Sequence, residues 1–242
     1  MKKTRKLSAD ADLSQSYAAP EIAEQQRPLV DQQLEEMRAG NPPRHFEVAG
    51  EIVALLKDIS EQDHAMLLDA GCSSAYYHEI VEHYAPGWAE YVGVDYNSGM
   101  VEMARHRYPG LVVLQMDTQQ LDARDRAFDV VLSSGTVNHV LDWQATLREL
   151  ARVADRWLIL HRAWVYVNEW PTYTGKSNAY GQDVWQHRWN ERELIEVIEG
   201  LGLNLVFSCD SGEGEGAPMG GEPEPEARGR VIRTYLFERS ER

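Results

Sequence analysis

From residue 65 onward the chain alternates short apolar runs with stretches of helical period, a pattern that restricts it to βαβ units around a parallel sheet. The expected strands are AMLLDA (65–70), YVGVD (91–95), LVVLQM (111–116), FDVVLS (128–133) and RWLILHR (156–162). Helical stretches near 75–85, 97–107 and 142–154 lie between them. Right-handed crossovers then leave a crevice beyond the carboxyl ends of the strands, where ligands bind in open α/β folds. A helix from Asn190 to about Gly200 and two further strands, LNLVFS (203–208) and VIRTYLFE (231–238), bring the expected sheet to seven strands.

Three segments do not follow this alternation. Residues 1–20 are polar and read as a mobile arm, followed by an accessory helix from Pro20 to Ala39 that Gly40, Asn41, Pro42 and Pro43 end. A second helix, from His45 to about Ile59, puts Phe46, Ala49, Ile52, Val53 and Leu56 on one face. Residues 164–189 carry Trp164, Trp170, Trp185 and Trp189 with Tyr166, Tyr173 and Tyr180, and read as an aromatic lid or cap over the crevice. Residues 210–230 are rich in Gly, Pro and Glu without apolar period and read as a mobile acidic loop.

A length of 242 residues suits one large α/β domain with additions. The net charge of -15 opposes a polyphosphate backbone, so no nucleic-acid partner is expected. No apolar stretch has the length of a signal peptide core or a membrane span. Cys72 and Cys209 make neither a disulfide framework nor a Cys-x-x-Cys pair, which fits a reducing, cytoplasmic setting.

Candidate chemistry gathers at the strand ends. In LLDAGCSSA, Asp69 and Gly71 form a tight strand-to-helix turn, where a glycine permits positive φ and close backbone approach to a ligand. Asp95 ends the second strand, in position to accept both hydroxyls of an adenosine ribose; its structural alternative is N-cap of the helix opening at Asn97 or Ser98. Asp117 ends the third strand, in reach of an adenine amino group, with Thr118 offering its backbone amide to a ring nitrogen.

The series LLDAGCSSA, YVGVDYN, LQMDTQQL and FDVVLSSGTVNHVLD resembles the motif set of class I S-adenosylmethionine-dependent methyltransferases across roughly residues 45–208. The resemblance implies a Rossmann-like, doubly wound, mostly parallel α/β sheet closed by an antiparallel last strand, with residues 1–44 as arm and accessory helix before a methyltransferase domain at 45–242. It also implies S-adenosyl-L-methionine as cofactor, with Asp69, Gly71 and Ser73 in the methionine loop. Asp95 would then hold the ribose, Tyr96 would pack on the adenine beside Asp117 and Thr118, and Ser133 and Ser134 would lie near the sulfonium. Where the family has two further loop glycines, this chain has Ser73 and Ala75. Their Cβ atoms narrow the approach to the methionine part, which keeps a second reading open: a non-catalytic S-adenosylmethionine-binding module or partner protein.

The expected reaction is methyl transfer to a small organic acceptor, an in-line displacement in which the protein aligns the nucleophile and excludes water. His139, just beyond the fourth strand, is the candidate base for a hydroxyl or amine acceptor, with packing as its structural alternative. Tyr180, Trp185 and His187 are the candidate acceptor contacts. His78 and His83 have a poor spacing for a metal and are expected to face solvent.

Overall fold

The computed structural model of the chain describes residues 17, 19, 21–60, 63–179, 181–212 and 229–240. Its helices form where apolar residues recur at helical spacing, and in three of them a side chain satisfies one of the first free amides. Helix α1 (Glu21–Arg38) precedes α2 (Arg44–Ile59), whose expected face of Phe46, Ala49, Ile52, Val53 and Leu56 is wholly buried. The side chains of Asn97, Asp142 and Asn190 accept from Met100, Ala145 and Glu193 backbone N–H and so open α4 (Ser98–Arg107), α5 (Trp143–Val153) and α6 (Glu191–Glu199). Helix α3 (Tyr77–Tyr84) follows the first strand.

Strands β1 (Ala65–Ala70), β2 (Ala89–Asp95), β3 (Val112–Gln115), β4 (Phe128–Ser134) and β5 (Ala154–Tyr166) pair in parallel in the order β3-β2-β1-β4-β5. The final strand, β9 (Arg230–Arg239), runs antiparallel to β5 on one side and to β8 (Leu203–Asp210) on the other. The fold is the doubly wound, mostly parallel α/β sheet with an antiparallel last strand. Alternate strand residues feed opposite layers: Leu67, Val130 and Ile159 pack with α2 and α3, whereas Leu68, Val131 and Leu158 pack with α5 and α6. The winding direction reverses between β1 and β4, which places the ligand crevice at their carboxyl ends.

The seven expected strands are present, but the sheet has nine. Segment 164–189 holds the difference. Strand β5 runs on past Arg162 to Tyr166, and a hairpin follows, β6 (Tyr173–Ala179) paired antiparallel with β7 (Gln182–Asn190). Beyond His161, the last residue of β5 opposite β4, β7 pairs in parallel with Val165 and Tyr166. An aromatic-rich run with mixed polar residues hid the strand period here. No described helix is long and apolar enough to cross a membrane. Residues 1–16, Tyr180 and the bulk of the acidic loop, 213–228, lie outside the described residues.

Candidate adenosyl and acceptor site

One cavity of about 870 Å³ opens at the carboxyl ends of β1, β2, β4 and β5. Its floor is the loop after β1, which makes a sharp reversal: Gly71 has φ +81°, Ser73 +53° and Ala75 +58°. The two positions that lack glycine therefore keep the left-handed backbone all the same. Gly71 is needed for a further reason. A Cβ there would lie 2.0 Å from Thr136 Oγ1, which itself donates to the Gly71 carbonyl at 3.2 Å. The space beside Gly71 is thus occupied by the β4–α5 segment.

Asp95 faces this loop. Its Oδ2 accepts from the Ser73 backbone N–H and its Oδ1 from the Asn97 N–H, both at 2.8 Å. Asn97, not Asp95, is the N-cap of α4, so the capping alternative for Asp95 does not describe the structure. Desolvation pushes the Asp95 carboxyl up, opposed by backbone hydrogen bonds from Asn97, Ser73 and Tyr96. Tyr96, Asp117 and Thr118 continue the same wall, with Asp117 exposed and its Oδ1 accepting from Gln119 N–H at 2.9 Å. Ser134 also lines the cavity and donates to Tyr77 Oη at 2.8 Å.

Asp69 and Ser133 stand behind the wall and do not line the cavity. Both are fully buried; Ser133 Oγ donates to the Ala70 carbonyl at 3.0 Å. Asp69 Oδ2 accepts from Tyr91 Oη at 2.5 Å, and burial, with Asp95 nearby, raises the Asp69 carboxyl to about 7. The correction follows from strand alternation, since these two side chains point into the layers rather than off the strand ends.

His139 closes the opposite side, on a short 3-10 turn at Val137–His139. Its Nδ1 lies 2.8 Å from the Trp185 carbonyl, which fixes that nitrogen as the donor and leaves Nε2 with the ring's lone pair. Desolvation, with help from the nearby His187 and Arg162, lowers the imidazole to about 4. Trp185 lines the cavity beside it. His187 does not: its Nδ1 meets Thr174 Oγ1 and its Nε2 the Val140 carbonyl, each at 2.8 Å, so the buried ring is spent holding the hairpin to the turn. The candidate contact Tyr180 falls outside the described residues. His83 is exposed, but His78 is half-buried between the rings of Tyr91 and Tyr108.

The N-terminal segment is part of the wall, which its polar composition did not signal. Gln26 of α1 accepts from Ser73 Oγ, and the buried Arg27 donates to Ser74 Oγ at 3.0 Å and to Tyr108 Oη at 3.1 Å. The Tyr17 ring lies 4.9 Å from His139. Arg162, also in the wall, was likewise not anticipated; its signal was the charged pair His161–Arg162 interrupting an apolar strand.

A doubly wound sheet with a tight loop after β1 and the acids Asp95 and Asp117 after β2 and β3 brings these groups onto one switch-point cavity, the place where open α/β folds bind ligands. Residues 68–156 match the family described as "Methyltransferase domain". A "Probable S-adenosylmethionine-dependent methyltransferase" of Mycobacterium tuberculosis is 32% identical over 87 residues, covering 36% of this chain and 31% of that protein. A "Probable tRNA methyltransferase 9B" of Bos taurus is 32% identical over 92 residues, 37% of this chain and 19% of the relative. The chain thus spans less than a third of the length of these curated relatives. Among solved structures, magnesium protoporphyrin IX methyltransferase from Synechocystis PCC 6803 with bound SAM superposes with a TM-score of 0.62 at 18% identity, over 97% of this chain and 100% of that one. Residues 68–156 therefore carry the similarity to methyltransferase domains, and the fold is the one that S-adenosylmethionine-dependent methyltransferases share.

Proposed function

We propose that the protein transfers the methyl group of S-adenosyl-L-methionine to a small organic acceptor. The observation that carries this reading is the single cavity of about 870 Å³ shared by the acid-bearing strand ends and an aromatic wall with His139. That volume lies toward the upper end for small-molecule sites, about 300–1,000 Å³, and leaves room for an acceptor beside the donor. The residues fit the donor chemically: Asp95 accepts backbone N–H groups of Ser73, Asn97 and Tyr96, and of the roughly four lone-pair sites of a carboxylate it keeps one for a ribose hydroxyl. Tyr96, Asp117 and Thr118 supply a ring face, an acceptor and a backbone donor for the adenine, and Gly71, Ser73 and Ser134 border the methionine part.

The donor, when bound, supplies an electrophilic methyl on a sulfonium. The chain's part is to align a nucleophile and keep water out, for which Trp164, Trp185 and Tyr77 provide apolar surface. His139 is neutral at physiological pH and presents only Nε2 as acceptor. With a value near 4 it is a weak base, best matched to orienting an acidic O–H or ring N–H. The tRNA methyltransferase relative raises a macromolecular acceptor as the other reading; the net charge of -15 and the aromatic cavity favour the small one.

Calorimetry with S-adenosylhomocysteine tests the donor half: Asp95→Ala should weaken binding more than tenfold, since a hydrogen bond to a charged group contributes about 1.5–3 kcal/mol. Unchanged affinity rejects the site. With an acceptor in hand, His139→Gln should lower kcat while leaving S-adenosylhomocysteine affinity intact; a donor-binding protein without turnover on any acceptor would be the non-catalytic module instead.

A further inference from the structure

We propose that Arg162 anchors an anionic group of the acceptor, making the substrate class a flat organic acid or phosphate ester. This rests on the methyl-transfer reading and adds the acceptor's charge to it. Arg162 is the one lysine or arginine among the described residues lining the cavity, and it sits within β5 just past His161, where the pairing with β4 ends. The cavity wall thus holds the carboxylates of Asp95 and Asp117 after β2 and β3 and of Asp142 at the start of α5, and its one guanidinium is in the same wall as Tyr77, Trp164 and Trp185.

The backbone is bent to put it there. The β5–β9 register slips between Leu160 and Ala163, and Arg162 takes φ +57°, a left-handed conformation that a branched or long side chain rarely adopts. The buried Asn138 locks this bulge from both sides: its Nδ2 donates to the Arg162 carbonyl at 2.9 Å and its Oδ1 accepts from Trp164 N–H at 3.4 Å. A glycine or asparagine would hold this turn at lower cost, and a left-handed arginine is a strained position of the kind that clusters at ligand sites. Its charge reaches the cavity's titratable groups, lowering His139 and offsetting the upward push of burial on Tyr77. A guanidinium fork matches a carboxylate or phosphate, and the neighbouring rings offer faces for a planar body.

The test is tryptophan fluorescence titration, with saturating S-adenosylhomocysteine, of hydroxy- and aminobenzoates, the primary amides of the same acids, and phenyl phosphate. At least one acid, or the phosphate, should bind about tenfold or more tightly than the neutral amides. Arg162→Asn, which suits a left-handed backbone, should abolish that preference with S-adenosylhomocysteine affinity within about twofold of the parent; Arg162→Lys should restore part of it. Tighter binding of phenyl phosphate than of any benzoate would assign a phosphorylated acceptor. Equal binding of acids and amides, no binding of any anion, or a preference that survives Arg162→Asn would overturn the proposal. Failure of S-adenosylhomocysteine itself to bind would instead defeat the methyltransferase reading beneath it.

Discussion

Replacing Gly71 by Ala adds one methyl group to the loop after β1, and its cost has two separable parts. The residue sits at φ +81°, where any Cβ strains the backbone by about 1–2 kcal/mol. The new Cβ would also meet the Thr136 side chain at 2.0 Å from Oγ1 and 2.6 Å from Cβ, so Thr136 must move and give up its bond to the Gly71 carbonyl. Losing that hydrogen bond adds about 1 kcal/mol, for a total of about 2–4 kcal/mol with the displacement. Thr136→Gly removes all three clashing atoms, Oγ1, Cγ2 and Cβ, so in the double variant only the backbone part remains. A double-mutant cycle by urea denaturation should therefore show a coupling of about 1–2 kcal/mol, with S-adenosylhomocysteine affinity recovering in parallel. Additive costs, within about 0.5 kcal/mol, would refute the packing account and mean that Gly71 matters only through its φ.

Two further outcomes follow from the same loop and its surroundings. Asp69, raised to about 7 by burial, holds a proton that the unfolded chain releases near pH 4, so stability should fall as pH rises from about 4 to about 7 and level off above it. Asp69→Asn keeps an acceptor for Tyr91 Oη and should remove up to about 4 kcal/mol of that slope; an unchanged pH profile of melting would contradict it. Ala75→Gly relieves about 1 kcal/mol of left-handed strain at φ +58° while losing a buried methyl and gaining unfolded-state freedom, so it should be nearly neutral. A loss above about 1.5 kcal/mol by thermal denaturation would show that the strain is absent.

Much of the fold was legible because burial on both faces of a parallel sheet leaves a signal that survives without context. Four of the five central strands and the six described α-helices fall close to their expected spans, since each was bounded by a cap, a glycine or a change of period. The β6–β7 hairpin was not legible. Its outward and inward residues do not alternate cleanly in polarity, because Arg188 is buried beneath aromatic rings while Lys176 lies over Trp185. The extension of β5 to Tyr166 was hidden by the same device that builds the site, a bulge placing Arg162 where a regular strand would continue.

At the site, residues that end strands were identified and residues that reach it from elsewhere were not. Asp95, Asp117 and His139 follow directly from strand ends, whereas Gln26 and Tyr17 approach through tertiary packing of α1 on the loop after β1, which no local pattern encodes. The loop glycines make the relation between sequence and geometry sharper. A glycine fingerprint states which residue relieves strain, while the ligand meets only the backbone path and the side chains on it. Ser73 and Ala75 keep φ of +53° and +58° without glycine, and Ser73 uses its hydroxyl to hold Gln26 while its amide is held by Asp95. The strain left in those two residues, about 1–2 kcal/mol each, is offset by the contacts that draw α1 down onto the loop. In this chain the departure from the glycine pattern and the closure of the cavity by the N-terminal helix are therefore one structural solution.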